Sequence, residues 1–537
     1  MTEQASRLRA VVGVAMVSGI TLLLTSMAYG QGWPMGGQNL QNSRSQSVTT
    51  ISPQNVGTLT EKWVFTTKGN VSATPAVYDG TVYFPDFAGY FYAVNASNGV
   101  LRWSRRVAHW TGIERDYARD DPAIDGDTLI LGDQAGAHAT WTQAGGLTGP
   151  GARVIAVNRT TGALIWSTQV DAFPTAFVTG SPVIYNGVVY VGVASSEESL
   201  AATPGYPCCV SSGSVVALDE ATGEMLWHTY MAPSGYSGGS VWGSTPVIDA
   251  ARNSVYVGAG NNFSAPPAVE SCFANNQNNP TCAAPNDYFD AVVSLDLTTG
   301  QINWATRTWY YDVTNSACDT KPAGVGNCPS PEGPDYDFGG SGPNMLGSDL
   351  IGIGQKSGIY WALNPDTGTV VWQTQVGPGG EDGGTEWGTA FDGTSIYVPI
   401  TNSGYLGYSL QPTGPNANAG SWAALNPSNG QIIWQTATPG ACSPAVSGYE
   451  QGCMALGPAS VANGVVFVGS MDVNPQNPTM FALSAATGEV LWSYVAGSSV
   501  IAAPAISGKS VYWGSGYSRL GPSKNTSNNK LFAFSIQ

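Results

Sequence analysis

The sequence predicts an all-β protein, an eight-bladed β-propeller of four-stranded antiparallel blades. Two observations come from repeats: a motif ending in Trp recurs along the chain, and a second hairpin motif lies between its copies. The third is a composition of 68 Gly, 34 Pro and 17 Trp in 537 residues. Glycine and proline favour tight turns, and many short, evenly spaced strands separated by turns are typical of propellers.

The first motif is a short apolar strand, a turn containing Gly, and a strand ending in Trp, as in ALDEATGEMLW. Seven complete copies end at Trp103, Trp166, Trp227, Trp304, Trp372, Trp434 and Trp492. An eighth copy is split, because the C-terminal LFAFSIQ supplies its first strand and LTEKWVF around Trp63 supplies its last. Pairing the two ends of the chain in this way closes the ring and removes exposed sheet edges.

The second motif is a hairpin such as SPVIYNGVVYV, with apolar residues at every second position. Asp79-Gly80, Asn186-Gly187, Asp392-Gly393 and Asn463-Gly464 are strong signals for two-residue turns. Two hairpins per repeat give four strands, and about 60 residues per repeat over eight repeats accounts for the chain after its leader. We therefore predict one propeller domain over residues 31–537, with long loops at about 265–289 and 314–346.

The first thirty residues have the pattern of an export signal. Arg7 and Arg9 form a basic region, an apolar run extends from Ala10 to Leu24, and Ala28-Tyr29-Gly30 is a small-residue cleavage site. We predict a signal peptide over residues 1–30 and a periplasmic or secreted protein that is not an integral membrane protein.

The eight cysteines fall into four neighbouring pairs, which are Cys208/Cys209, Cys272/Cys282, Cys318/Cys328 and Cys442/Cys453. Close pairs in loop-like sequence indicate local disulfides formed in an oxidising compartment. Nearest-neighbour pairing is our prediction, although spacing alone leaves other connectivities open. No Cys-x-x-Cys-His sequence occurs, so no covalent c-type haem is expected in this chain.

Charge and composition exclude several function classes. The formal net charge is −16, whereas a nucleic-acid-binding protein needs a basic surface. Only His109, His138 and His228 are present, without a zinc-binding spacing, and no sequence resembles the nucleophile elbow of a Ser-His-Asp hydrolase.

The AxDxxTGxxxW repeat resembles the tryptophan-docking repeat of the quinoprotein alcohol dehydrogenases, which use pyrroloquinoline quinone (PQQ). The opening WPMGGQNLQNSRS, residues 33–45, is also similar to that family. EES…YPCC…GSVVALD and GPDYDFG are most similar to its polyvinyl alcohol dehydrogenase-like branch. Because non-enzymatic propellers share the repeat, residues outside it must decide the function.

The resemblance implies a metal site made of oxygen donors. Glu197 and Asn261 match metal ligands, Asp335 matches the catalytic base, and Asp337 matches a second carboxylate found in lanthanide-using members. Oxygen-only ligation favours a hard cation such as Ca²⁺, with a lanthanide as the alternative. On sequence alone, Glu197 with Glu198, and Asp335 with Asp337, could equally be solvated acids in loops.

The resemblance also implies a PQQ site. Trp242 matches the indole that stacks under the quinone, Arg119 and Lys356 match cations that contact its oxygens, and Thr179 matches a hydrogen-bonding residue. PQQ carries three carboxylates, so an acidic protein needs cations at defined places to bind it.

The adjacent pair Cys208-Cys209 departs from the small-alcohol branch. Relatives that oxidise small alcohols have adjacent cysteines shortly before the residue matching Arg119, whereas here the pair follows Glu197. Two roles remain open for a disulfide between Cys208 and Cys209: it caps the quinone face opposite Trp242, or it is purely structural.

Two functions follow as hypotheses. The first is an exported PQQ-dependent alcohol dehydrogenase that oxidises a secondary alcohol, either small or polymeric, with Asp335 accepting the hydroxyl proton. It would pass electrons to a separate acceptor such as a cytochrome c, and the acidic charge would favour a basic partner. The alternative is a non-catalytic periplasmic propeller that acts as a scaffold or binding protein.

Overall fold

The computed structural model describes residues 32–276, 279–439, 453–518 and 528–537. Short antiparallel strands dominate these residues and form eight four-stranded blades, which confirms the predicted eight-bladed β-propeller. The predicted signal peptide, residues 1–30, lies outside the described residues. Within the described part of the chain, no helix combines the length and the apolar character needed to cross a membrane.

Each of the first four blades pairs its strands in chain order. Blade 1 contains Ala76–Tyr78, Thr81–Pro85, Tyr90–Asn95 and Leu101–Arg106. Blade 2 contains Ala123–Asp125, Thr128–Gly132, Ala152–Asn158 and Leu164–Asp171. Blade 3 contains Val183–Tyr185, Val188–Ser195, Ser214–Asp219 and Met225–Tyr230. Blade 4 contains Val247–Asp249, Ser254–Gly258, Ala291–Asp296 and Ile302–Arg307.

The remaining blades follow the same order, except that the last strand of blade 8 comes from the N-terminal part of the chain. Blade 5 contains Asn344–Met345, Ile351–Gly354, Ile359–Leu363 and Val370–Gln375. Blade 6 contains Ala390–Phe391, Ile396–Ile400, Ser421–Leu425 and Ile432–Ala437. Blade 7 contains Ser460–Ala462, Val465–Gly469, Met480–Ser484 and Val490–Tyr494. Blade 8 contains Ala505–Ser507, Ser510–Ser515, Lys530–Ser535 and Thr60–Thr66.

The other regular elements lie mainly in connections between these strands. The short additional strands are Ser45–Gln46, Thr140–Thr142, Gly146–Thr148, Ala176–Phe177, Ser237–Gly238, Asn262–Ser264, Tyr408–Ser409 and Asn416–Ala417. The α-helices are Val107–Thr111, Glu197–Leu200 and Pro267–Asn275, and the 3₁₀ turns are Val56–Thr58 and Ala135–His138.

Blade 8 closes the ring as predicted. Thr60–Thr66 pairs antiparallel with Lys530–Ser535, and Trp63 lies opposite Ala533. The N-terminal and C-terminal parts of the described chain therefore share one sheet, so this blade has no separate edge at which the ring could open.

The repeat tryptophans join neighbouring blades. Each indole N–H donates to a backbone carbonyl of the next blade or its leading segment, at 2.8–3.2 Å. The pairs are Trp63–Ala96, Trp103–Arg159, Trp166–Glu220, Trp227–Leu297, Trp304–Pro365, Trp372–Pro427, Trp434–Ala485 and Trp492–Leu59.

The same contact between neighbouring blades explains the glycine of the repeat. Gly223 has φ +72°, and a Cβ built on it would lie 2.5 Å from the Trp166 ring. Any other residue would therefore strain the backbone and collide with the indole. The motif thus encodes a contact between blades as well as a turn within one.

Three of the four predicted two-residue turns are present. Asp79-Gly80, Asn186-Gly187 and Asn463-Gly464 each connect two strands, with positive φ at both residues. The prediction for Asp392-Gly393 is wrong, because a four-residue turn separates the strands there. The Asp392 carboxylate accepts hydrogen bonds from the N–H groups of Thr394 and Ser395, which stabilises the longer turn.

Residues 33–50, which we call the N-terminal belt, run around one end of the ring and contact the first strands of the blades. The belt hydrogen-bonds in chain order to blades 1, 2, 4, 5, 6, 7 and 8, through the backbone of Val77, Ile124, Ile248, Met345, Phe391, Val461 and Ile506. At blade 3, Met35 and Leu40 belong to the same apolar cluster as Ile184.

Three of the four predicted disulfides are present, namely Cys208–Cys209, Cys272–Cys282 and Cys318–Cys328. Cys442 lies outside the described residues, so its pairing with Cys453 stays a prediction.

Candidate active site

The candidate site lies on the propeller axis. The first strands are short and largely buried, whereas the last strands are largely exposed, so the segments that enter the first strands converge at the centre. Arg119, Thr179, Gly243 and Trp387 precede the first strands of blades 2, 3, 4 and 6, and they line one cavity there. Residues far apart in sequence meet because each occupies the same place in its own blade.

A buried lysine forms the centre of the site. Lys356 Nζ lies 2.8 Å from Asp335 Oδ2 and 3.3 Å from Asp337 Oδ2. The same ammonium lies 5.5 Å from the centroid of the Trp242 ring, and the indole Nε1 donates to Asp337 Oδ2 at 3.4 Å. Four residues singled out in the sequence are therefore in one contact network, which we call the axial cluster: Trp242, Asp335, Asp337 and Lys356.

Aromatic contacts connect the axial cluster to Arg119. The rings of Trp242 and Trp387 meet edge to face, with centroids 5.0 Å apart, and the Arg119 guanidinium lies 4.7 Å from the Trp387 centroid. Trp242 itself is half-buried, and a Cβ on either Gly339 or Gly340 would collide with its ring. The two glycines after Asp337 therefore allow the backbone to lie against the indole.

The backbone around Asp335 is held by a second carboxylate. Asp335 has φ +58°, and its N–H donates to Asp312 Oδ1 at 3.0 Å, while the N–H of Tyr336 donates to Asp312 Oδ2 at 2.5 Å. Asp290 lies beside Asp312, and both are buried. Asp335 Oδ1 has no hydrogen-bond partner among the described residues, so it is free to accept one from a ligand.

The pKa values of the site residues reflect an excess of buried carboxylates over cations. Burial raises the pKa of Asp335 well above its usual range, although Lys356 opposes the shift. Burial alone would lower the pKa of Lys356, but Asp335 and Asp337 raise it well above its ordinary value. Burial likewise raises the pKa of Glu386, which precedes Trp387 and has an unpartnered Oε1 within the described structure. One ammonium thus faces several carboxylates.

The neighbouring glutamates after blade 3 have different environments. Glu197 is fully buried, and its carboxylate accepts hydrogen bonds from the Tyr206 hydroxyl and from the N–H groups of Val210 and Ser211, at 2.6–3.0 Å. Glu198 is half-buried, and burial raises its pKa to about 7, opposed by the charge of Lys356. Glu197 therefore holds the 206–211 loop, whereas Glu198 is the one whose charge couples to the axial cluster.

Asn261 and Thr179 make local hydrogen bonds, and their proposed roles stay predictions. Asn261 donates its amide hydrogens to the carbonyls of Asn262 and Thr314, at 3.2 and 3.1 Å, which directs its Oδ1 away from them. Thr179 lines the axial cavity with Arg119, and its hydroxyl accepts a hydrogen bond of 2.6 Å from Gln134.

The Cys208–Cys209 disulfide packs in an apolar cluster with Phe263 and the Cys318–Cys328 disulfide. Glu197 binds the residue that follows the pair, Val210, so the disulfide loop is fixed to the same short helix that carries Glu198. Both roles considered for this pair, capping the quinone face opposite Trp242 or a purely structural one, stay predictions.

Sequence reasoning did not select Asp290, Asp312, Glu386 or Trp387. A signal existed for the last two, because Glu386-Trp387-Gly388 lies just before the first strand of blade 6, as Val241-Trp242-Gly243 lies just before the first strand of blade 4. Asp290 and Asp312 are single acids in loops, and nothing in their local sequence distinguishes them.

Known proteins are similar to this chain in sequence and in fold. The PQQ_2 family model, described as "Outer membrane protein assembly factor BamB", matches residues 57–205, 211–441 and 418–536. A polyvinylalcohol dehydrogenase of Pseudomonas sp. is 28% identical over 94% of this chain and 77% of its own, and one of Sphingopyxis sp. is 27% identical over 92% and 75%. The crystal structure of quinohemoprotein alcohol dehydrogenase from Comamonas testosteroni has a TM-score of 0.65 and 18% identity, over 94% of this chain and 80% of its own.

Proposed function

Because the chain belongs to the PQQ_2 family and, within it, to the quinoprotein alcohol dehydrogenases, it is an alcohol oxidoreductase, and we propose that it oxidises secondary alcohols, including polymeric ones such as polyvinyl alcohol. We propose that its cofactors are PQQ and a metal ion, either Ca²⁺ or a lanthanide. The observation that carries this proposal is the buried ammonium of Lys356 between two carboxylates, beside a half-buried indole on the axis.

The residues present fit an anionic, flat cofactor. Arg119 and Lys356 supply positive charge from different blades, and guanidinium and ammonium groups are the usual partners of carboxylates. Trp242 supplies an aromatic surface that the described chain leaves partly uncovered. We propose that these three residues, with Thr179 and the Cys208–Cys209 disulfide, hold PQQ, which when bound accepts the two electrons of alcohol oxidation.

The acids fit a hard cation. Asp335 and Asp337 are buried and Glu198 is half-buried, and Lys356 neutralises only part of their charge. Burying unpaired carboxylates is costly, so a divalent or trivalent ion would stabilise the cluster in its ionised form. We propose Asn261, Asp335, Asp337 and one of the two glutamates as ligands. The geometry favours Glu198, because Glu197 would first have to give up its hydrogen bonds.

Asp335 is the proposed base for the reaction. Its Oδ1 has no partner in the described structure, while Lys356 holds Oδ2, so one oxygen is left to accept the hydroxyl proton of an alcohol. Asp312 fixes the backbone of Asp335 through two N–H groups and thereby directs this carboxylate. A non-catalytic scaffold, the alternative hypothesis, would gain nothing from such a costly buried arrangement.

The electron acceptor and the cellular location follow as parts of the proposal. We propose that electrons pass to a separate acceptor, a cytochrome c. The acidic net charge of −16 favours a basic partner through electrostatic steering. The disulfides of the described chain and the signal-like residues 1–30 support export to the periplasm or the medium.

Reconstitution tests the proposed function. We expect the purified protein to take up PQQ in the presence of Ca²⁺ or a lanthanide, which would quench tryptophan fluorescence, and then to reduce a dye with secondary alcohols. Failure to take up PQQ with either metal would reject the assignment. Uptake without turnover on any alcohol would leave a quinone-binding protein and would contradict the proposed activity.

The pair Glu197→Gln and Glu198→Gln tests the ligand assignment. We expect Glu198→Gln to weaken Ca²⁺ retention roughly tenfold or more, because the site loses one negative charge. Glu197→Gln should leave Ca²⁺ retention near normal but lower the free energy of unfolding by about 1–3 kcal/mol, since an NH₂ group replaces one of the two oxygens that accept hydrogen bonds from the loop. Calcium titration by calorimetry and urea unfolding measure the two effects. The reverse pattern would make Glu197 the ligand, as the family resemblance implies.

A further inference from the structure

An open groove with aromatic walls lies beside the axial cluster, and the proposed chemistry does not use it. We call it the mouth groove, and define it by Thr308, Trp309, Tyr310, Glu332, Gly333 and Pro334. The groove is open to solvent and has a cavity volume of about 510 Å³.

The walls of the mouth groove are continuous with the axial cluster. Pro334 directly precedes Asp335, so one wall ends at the proposed base. On the other wall, the Thr308 hydroxyl accepts a hydrogen bond of 2.8 Å from Gln355 Nε2, and Gln355 directly precedes Lys356. Each wall of the groove is therefore connected through a single residue to one member of the central ion pair.

The exposed surface of the groove is aromatic. Trp309 is 37% exposed and Tyr310 is 52% exposed, while Tyr336 supports the Trp309 ring edge to face, with centroids 5.2 Å apart. Tyr311 is buried, and its hydroxyl donates to the carbonyl of Pro331 at 2.6 Å, which fixes the segment from below. Adjacent exposed aromatic residues on a supported backbone are typical of a ligand-binding surface.

Asp312 connects the aromatic wall of the groove to Asp335, the proposed base. It follows Tyr311 in the chain, and its carboxylate accepts the N–H groups of Asp335 and Tyr336. One short segment thus connects the positions of Trp309 and Asp335. A groove that presents a substrate to the base requires such a connection.

We propose that the mouth groove binds the part of a chain-like, uncharged polyalcohol that extends beyond the reacting hydroxyl group. Methylene groups of such a chain would pack on Trp309 and Tyr310, and its free hydroxyl groups would bond to Glu332 and to the Tyr310 hydroxyl. The residues that define the groove include no cation, which disfavours an anionic chain. This inference rests on the proposed function, since it places the reacting carbon at Asp335.

Steady-state kinetics of Trp309→Ala, with a dye as acceptor, tests the proposal. We expect the KM for polyvinyl alcohol to rise roughly tenfold, because the chain loses a large apolar contact, with kcat little changed. The KM for 2-butanol, which has no long chain to extend along Trp309 and Tyr310, should stay within about twofold. Tyr230→Ala is the matched control, because Tyr230 is 50% exposed but lies on the outer strand of blade 3.

A binding measurement separates this inference from the proposed function. Retardation of the protein in native gels containing polyvinyl alcohol needs no cofactor, and we expect Trp309→Ala but not Tyr230→Ala to reduce it. Polymer retardation that depends on Trp309 in a protein without alcohol turnover would support the groove and reject the function. Normal turnover with an unchanged polymer KM in Trp309→Ala would reject the groove alone. A defect seen only with a cytochrome acceptor would also reject it, and would make this surface an electron-transfer contact.

Discussion

Replacing Asp335 with asparagine is expected to lower kcat by roughly a hundredfold to ten-thousandfold, the usual contribution of a general base. The amide keeps the shape of the side chain and can retain a contact with Lys356, so the site should remain assembled. It cannot accept the alcohol proton as a carboxylate does. Dye-reduction kinetics measure the loss, and fluorescence quenching by PQQ shows whether the quinone is still bound.

Asp349→Asn is the control, because Asp349 is an exposed carboxylate in the turn between the first two strands of blade 5. The kcat of the Asp349→Asn variant should equal that of the unaltered protein. Full activity in Asp335→Asn would place the base elsewhere, and Asp337 and Glu198 would be the next candidates.

Replacing Lys356 with methionine is expected to destabilise the metal-free protein by about 3–5 kcal/mol, the typical cost of leaving a buried charge without its partner. Asp335 and Asp337 would then be buried without their cation. Excess Ca²⁺ should recover part of the loss, because a bound ion replaces the missing positive charge. Urea unfolding with and without Ca²⁺ measures both effects.

Lys509→Met serves as the comparison, since Lys509 is exposed on blade 8, and its free energy of unfolding should change little. If Lys356→Met were as stable as the unaltered protein and insensitive to Ca²⁺, the acids would already be neutral. The charge argument for a metal ion would then be wrong.

The fold could be predicted because each repeat contains the residues that pack it against the next blade. Trp166 and Gly223 belong to different copies of the motif, yet one contact explains why both residue types recur. The error at Asp392 arose because its side chain competes for backbone N–H groups, and the Asp-Gly pair does not reveal this.

The candidate site could be predicted from the sequence less completely than the fold. The contact between Lys356 and Asp335 joins two loops that meet only through the blade geometry, and only a family resemblance selected both residues in advance. Glu197 and Glu198 are adjacent on a short helix, so a one-residue rotation decides which carboxylate faces the axis. Asp312 acts through backbone N–H groups, for which no sequence pattern exists.

The N-terminal belt has a mechanical consequence for the whole ring. Its hydrogen bonds reach the first strands on nearly every side of the axis, so two neighbouring blades cannot separate without also pulling on this segment. Local breathing at one interblade boundary is thereby resisted at all the others, which favours unfolding of the ring as a single cooperative unit. The N-terminal belt thus keeps the spacing of the central side chains constant, while the loops at the opposite end of the ring remain free to vary.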